Sequence, residues 1–432
     1  MTYTAFITRI TNVRKHSNAD KLLLGDCLGS QVVVGLDTKE NDTGIYFPAD
    51  GRLSDEFLTA NNLVRKVDAE GKNTGGLFDV NGKVRTQKIR GEKSDGFFCP
   101  TKYLDYTGFD TSDLKVGFAF GELNGHKICE KFITTKTFSS GHGKKPREKS
   151  KFPLFHEMPD TEQLAYKLDE LKDGMFLVIT EKVHGTSQRS SNSIEEKMPW
   201  YGQIVNGILK RTAIQPRREY KYVCGTRRVV IKDFDNHYGY YGENEMFRKY
   251  AHDRFVGKLH KGESVYYEVV GYAAEGVTIM PTCDNTKLKD KEFVNKYGKT
   301  TTFTYGCPLG AHEVYVYRMS TTNEDGQEVD YSWDKVKHRC NQMDVKHVPE
   351  LNRLVYIGDT KDGFLKHFLK YCDNFVDGDS TLTPTHIREG IVVRADGSHW
   401  QSWKYKSFAF KVLEDIIKLD PNVVDREESQ DV

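Results

Sequence analysis

The chain has 432 residues, of which 38% are apolar and 29% charged, a balance that excludes wholesale disorder and suits two or three globular domains. With 63 basic against 62 acidic side chains the net field is nearly zero, so contact with a polyanion has to come from local basic clusters. The eight cysteines are scattered without a C-x-x-C pair, which argues against a zinc ribbon or a disulfide framework and for a reducing interior. No apolar run approaches bilayer length, and Met1 to Phe6 lacks a basic region followed by an apolar core. The expectation is therefore a soluble, intracellular, cytoplasmic protein with no membrane and no disulfide partner.

In chain order, residues 1 to about 130 hold short strand-like pieces punctuated by glycine: Ala5–Ile10, Lys21–Leu24, Gln31–Leu36 and Gly44–Phe47. Such spacing predicts a small five-stranded barrel of the OB type. The segment His16 to Leu22 resembles the opening of OB modules in tRNA-binding proteins. Lys83, Arg85, Lys88, Arg90 and Lys93 form a basic patch that suits either a phosphate backbone or a solvated strand edge. Residues 139–153 have linker chemistry, with glycine, proline and aperiodic charge. Apolar residues at 164, 168 and 171 predict a short amphipathic helix over Thr161–Leu171.

Met175–Thr180 then reads as a buried strand that delivers Glu181-Lys182-Val183-His184-Gly185-Thr186. A lysine leaving such a strand beside a turn-permitting glycine is placed for covalent attack. Downstream, strands are expected at Tyr222–Gly225, Val229–Ile231, Val265–Gly271, Glu313–Arg318, Glu389–Arg394 and Trp403–Lys406. Helices are expected over Glu243–His260, Ser332–Met343 and Gly363–Tyr371. Pro281 to Leu309 reads as a long excursion, and the acidic run 420–432 as a disordered tail.

A lysine attacking a nucleotide's α-phosphate needs cations to spread charge on the phosphate oxygens, carboxylates for a divalent metal, and an aromatic surface for the base. Lys404 and Lys406, Glu268 and Glu389, and Tyr317 are the candidates, with Arg227 available for a bidentate phosphate or sugar contact. Lys182-Val183-His184-Gly185, Arg227, Tyr266–Gly271, Tyr315–Tyr317, Glu389–Arg394 and Trp403–Ser407 resemble, in order, motifs I, Ia, III, IIIa, IV and V of the covalent nucleotidyltransferase superfamily. That superfamily comprises the polynucleotide ligases and mRNA capping enzymes. Histidine at 184, where aspartate is usual, resembles the branch of ATP-dependent, nick-sealing RNA ligases, here with an N-terminal OB domain.

The resemblance implies an α+β protein: an OB-type nucleic-acid-binding barrel over 1–138, and a nucleotidyltransferase domain of antiparallel sheets with flanking helices over 154–419. It implies a lysyl-AMP intermediate on Lys182, with Glu181 contacting adenine and Gly185 bordering the nucleotide. His184 would assist sealing. Arg227 would bind ATP or the 5′-phosphate end, and Glu268 the ribose or a metal-bound water. Tyr317 would stack on adenine, Lys404 and Lys406 would hold the α-phosphate, and Arg394 would end motif IV at the nucleotide. Glu389 with Glu268 would organise Mg2+ or Mn2+. Arg318 departs from the pattern, which often has aspartate there.

The 26 residues after Lys406 are too few for the C-terminal OB domain of DNA ligases and capping enzymes, which favours an RNA ligase. The basic run 210, 211, 217, 218, 221, 227, 228 and 232, interleaved with Tyr220 and Tyr222, is a candidate RNA footprint. Two alternatives stay open: a non-catalytic RNA- or tRNA-binding factor working through the barrel, and a DNA nick ligase.

Overall fold

The computed structural model describes residues 3–49, 51–67, 73–132, 150–159, 161–209, 213–235, 239–357 and 364–414. The chain divides into two compact units, Met1–Thr137 with Lys411–Asp425, and Phe138–Phe410 with Arg426–Val432. The expected tail 420–432 and most of the expected linker lie outside the described residues. Among the described residues no helix is long and apolar enough to cross a membrane.

In the first unit the expected strands form, but in separate sheets. Phe97–Pro100, Thr43–Phe47, Ala5–Arg9 and Ala119–Phe120 make one; Thr11–Lys15, Leu22–Cys27 and Ser30–Gly35 make another. The hairpin Thr86–Ile89/Glu92–Asp95 stands apart from both ladders. The strand ladders do not close into a barrel among the described residues. The physical reason is visible at the seam, where side chains replace ladder bonds. The Val33 N–H donates to Ser94 Oγ (3.0 Å) and the Gln31 amide to the Lys93 carbonyl (2.7 Å). The His16–Leu22 segment is pinned to the same hairpin through His16 Nε2 and the Ile89 carbonyl, 2.9 Å apart.

The second unit is built on eight strands: β1 (Phe176–Lys182), β2 (Thr186–Lys197), β3 (Arg217–Thr226), β4 (Glu263–Ala274), β5 (His312–Thr322), β6 (Glu350–Val355), β7 (Gly390–Ala395) and β8 (Gln401–Lys406). Around them lie α1 (Trp200–Leu209), α2 (Met246–Asp253), α3 (Lys291–Tyr297), α4 (Trp333–Met343) and α5 (Phe364–Val376). One sheet runs Glu162–Gln163, β8, β7, β1, β6, antiparallel except for the parallel pairing of Glu162–Gln163 with β8. The other runs Val230–Ile231, β3, β2, β4, β5, Glu328–Asp330, with Val277–Thr278 beside β4 and Lys346–His347 beside β5. The fold class is α+β.

Alternation along β1 places Leu177 and Ile179 in a core with Ile391, Val393, Trp403 and, from α5, Phe368, Leu369 and Cys372. Each such aliphatic side chain stabilises the fold by roughly 2 kcal/mol. Leu164, Leu168 and Leu171 are buried as expected, but through two short 3-10 turns, not an α-helix. The expected helix over 243–260 is confined to α2; Gly257, with φ +80°, belongs to the turns after it.

Hydrophobic patterning missed β6 and β2, the latter reading Thr-Ser-Gln-Arg-Ser-Ser-Asn-Ser from Thr186. In β2 the reason is plain. Its polar side chains are buried because they satisfy one another across the ladder. The Gln188 amide donates to the Tyr267 hydroxyl (2.8 Å), Ser190 Oγ shares a bond with that hydroxyl (2.9 Å), and Ser264 donates to Ser191 (2.9 Å).

Candidate active site

The nucleophile candidate is positioned by strand register. Lys182 ends β1 opposite Gly390, and Gly390 pairs on its other side with Lys406 of β8. Both lysines therefore flank the start of β7, where Glu389 precedes the glycine. Lys182 Nζ lies 2.7 Å from Glu389 Oε1, Lys406 Nζ 3.2 Å from the same oxygen, and His184 Nδ1 3.6 Å from Oε2. The carboxylate is fully buried whereas Lys182 keeps 18% of its side chain exposed, so the amine can be reached by a ligand.

Two glycines make this possible. A Cβ on Gly390 (φ +155°) would meet the Tyr405 carbonyl oxygen at 2.3 Å, and one on Gly185 the Val269 carbonyl oxygen at 2.4 Å.

The neighbours of Lys182 are held on both sides. The Glu181 carboxylate accepts from Ser380 Oγ (2.6 Å), Thr381 N–H (2.8 Å) and Thr381 Oγ1 (2.6 Å). The His184 backbone N–H donates to the Tyr305 hydroxyl (2.7 Å), and its ring meets Phe303 and Phe410 edge-on at 5.0 and 4.7 Å. Burial pushes the Tyr305 phenol well up, and the charges of Glu389, Glu181 and Glu268 push the same way.

On the second sheet, Glu268 pairs with Ser187 on one side and Tyr315 on the other. A bulge in β5 follows: Tyr267 faces Val316 and Tyr266 faces Arg318, leaving Tyr317 as the extra residue. Its hydroxyl lies 2.8 Å from Ser187 Oγ. Burial raises the Tyr317 phenol; Glu268 adds to this and Arg227 opposes it, so both charges lie in range of the ring. Lys404 is half-buried and faces Val392, two residues along the row from Lys406.

Arg394 stands apart from the other candidates. It is buried, its guanidinium donates to the Tyr331 and Tyr317 carbonyls (3.0 and 3.4 Å), and it lies over Trp333 and Trp400. These bonds support the backbone under Tyr317 and Tyr331. Arg318 forms a buried fork on Asp330, at 2.6 and 3.1 Å, and a further bond to Glu328 at 3.0 Å. Within the candidate RNA footprint, Arg218 and Lys221 pair with Glu196 and Glu195 at 2.8 Å each, while Lys210 and Arg211 lie outside the described residues.

Sequence reasoning passed over Phe303, Tyr305, Ser380 and Thr381. A Phe-x-Tyr pair in an otherwise polar excursion was the available signal for the first two; the other two carry none.

Two antiparallel sheets presenting a lysine, a buried glutamate, a second lysine and a histidine at one strand end define a covalent nucleotidyltransferase architecture. A family model described as RNA ligase matches residues 175–413, more than half the chain, and the protein belongs to that family. The chain is similar in fold to the RNA ligase of Naegleria gruberi with pyrophosphate, at 17% identity and a TM-score of 0.53 over 94% of this chain and 97% of that one. A lysine-to-alanine variant of the same ligase with ATP and Mn matches at 17% identity, TM-score 0.52, over 96% and 98%. A lysine-to-methionine variant with AMP and Mn matches at 16%, TM-score 0.53, over 94% and 97%. No curated protein matches the chain.

Proposed function

We propose that this protein is an ATP-dependent RNA ligase that seals 3′-OH/5′-phosphate breaks, chiefly nicks in duplexes, through a lysyl-AMP on Lys182. The observation that carries the reading is the convergence of Lys182, Lys406 and His184 on the single buried carboxylate of Glu389. The neighbouring solved structures hold pyrophosphate, ATP with Mn, or AMP with Mn.

In the first step Lys182 Nζ bonds to the α-phosphorus of ATP, the bond to pyrophosphate breaks, and the amine loses a proton. Glu389, 2.7 Å away, is the base within reach of that proton. Lys406 and Lys404 neutralise the α-phosphate oxygens, and Arg227 holds ATP or the 5′ end. Tyr317 stacks on adenine, with Glu181 and Gly185 bordering the base and Glu268 at the ribose. In the second step a 5′-phosphate oxygen displaces Lys182, giving an adenylylated end. In the third the 3′-hydroxyl attacks that phosphate and AMP departs, with His184 assisting.

Among the described residues no group of three or more His, Cys, Asp or Glu forms a metal cage. Glu389 and Glu268 would be the carboxylates for Mg2+ or Mn2+, ions that take one or two carboxylates and complete their shell with substrate phosphates and water. A bound ion would supply charge neutralisation at the phosphates. The first unit fits an OB-type nucleic-acid-binding role in this reading, with residues 154–419 as the nucleotidyltransferase domain, in a soluble cytoplasmic protein.

ATP labelled at the α-phosphate, with Mg2+ or Mn2+, tests the reading. The parent acquires covalent label and Lys182→Ala does not; equal labelling of both would sink the mechanism. A protein that only binds RNA through its first unit would retain RNA without labelling. Nicks with RNA or DNA on each side separate RNA sealing from DNA sealing.

A further inference from the structure

No family motif accounts for residues 281–311, yet this excursion contacts His184 directly and joins the loop that holds Glu181. At one end Tyr305, held at φ +52° in a conformation unfavourable for a residue with a side chain, takes the His184 N–H on its hydroxyl at 2.7 Å. Phe303 sets the His184 ring from one side. At the other end the last turn of α3 grips Asp379: Lys296 Nζ lies 2.7 Å from Asp379 Oδ1, and the Tyr297 hydroxyl donates to the same oxygen.

The two residues after Asp379 are Ser380 and Thr381, which supply the three donors on Glu181. The loop is closed on itself by the Ser380 N–H to the His386 carbonyl (3.0 Å) and by Arg388 on the Asp379 and Phe375 carbonyls. Tyr305 and Phe303 also pack on the His386 ring, at 4.6 and 4.9 Å. The excursion and the 379–388 loop are therefore joined at Asp379 and at His386.

We infer that residues 281–311 and 379–388 form one buttress that fixes Lys182 for in-line attack by gripping Glu181 through Ser380 and Thr381, and His184 through Tyr305. Tyr305 and Thr381 are its positioning residues. This rests on the ligase reading above. Neither residue touches the reacting atoms; each sets the backbone from which the nucleophile extends. Misplacing a nucleophile by about 1 Å costs up to about 100-fold in rate without weakening substrate binding.

Single-turnover adenylylation of the full chain with α-labelled ATP tests the inference. Tyr305→Phe leaves the buried His184 N–H without its acceptor, and Thr381→Val removes one donor to Glu181 at nearly constant shape. Each variant lowers the maximal rate by about 10-fold or more; the ATP concentration for half-maximal rate stays within about twofold in Tyr305→Phe, whereas Thr381→Val, which loosens the Glu181 carboxylate placed beside adenine, raises it as well. Thr381→Ser, which keeps the hydroxyl, restores most of the rate. Parent-like maximal rates in both variants, or losses confined to ATP half-saturation, overturn the buttress. An unlabelled parent overturns the ligase reading instead. In that case the His184 ring signals in NMR still decide: Tyr305→Phe shifts them if the buttress holds the ring, and unmoved signals sink it.

Discussion

The Lys182 ammonium and the buried Glu389 carboxylate are 2.7 Å apart, and Lys406 lies 3.2 Å from the same oxygen. Glu389→Gln leaves two ammonium groups around a neutral amide. Adenylylation of Lys182 should fall by about 100-fold or more, since both the base and the charge that orders the lysines are lost. Urea unfolding should show a loss of about 3 kcal/mol, as for other broken buried ion pairs. Retained labelling would remove Glu389 from the mechanism.

Gly390 lets the β7 backbone pass against β8. Gly390→Ala places a Cβ 2.3 Å from the Tyr405 carbonyl oxygen and 2.7 Å from the Lys406 Cα. Overpacking of this kind costs about 2 kcal/mol. Because the strand displaced carries Lys406, the adenylylation rate should fall as well. Gly397→Ala, with nothing within 4 Å of the added Cβ, should leave both unchanged.

Arg318 sits where related ligases often carry aspartate, and its buried fork with Asp330 is structural. Arg318→Met strands the Asp330 carboxylate and should cost about 3 kcal/mol. Adding Asp330→Leu should recover most of that, because replacing both members of a buried pair with apolar groups is often nearly neutral. An additive double variant in denaturant titrations would contradict this account.

His252 is buried, with Nδ1 2.8 Å from Ser190 Oγ, and burial lowers its pKa from 6.5 to about 4. Between those values the unfolded chain binds the proton and the folded chain does not, so stability is full above pH 6.5 and falls as the pH drops towards 4. The parent should lose about 2 kcal/mol through this group between pH 6.5 and 5. Unfolding titrations of His252→Gln should lack that component; an unchanged acid slope would exclude His252 as its source.

Much of the second unit was legible because its strands are apolar and β-branched: β1, β4, β5, β7 and β8 were anticipated within a few residues. α4 was marked by Ser332, which caps it through the Lys335 N–H at 3.4 Å. β2 was not, because its burial depends on partners across the ladder and not on its own hydrophobicity. The excursion was silent for a similar reason: α3 is one short helix, and what matters in it is the reach of Tyr297 and Lys296 to Asp379. The carbonyl partners of Arg394 were not legible either, because an arginine near the end of an alternating strand looks the same in sequence whatever it donates to.

The sequence by itself determined the chemistry-bearing order: a lysine after a buried strand, then an arginine, a glutamate, a tyrosine, a second glutamate and a lysine pair, each on or beside a strand whose pattern is local. Only the tertiary structure decided that Gly390 stands between Lys182 and Lys406, and that Glu181 and His184 answer to Thr381 and Tyr305. Local periodicity reports which side of a strand faces apolar surroundings. Register between distant strands, and the hydrogen bonds that long excursions bring back, are properties of the packed chain.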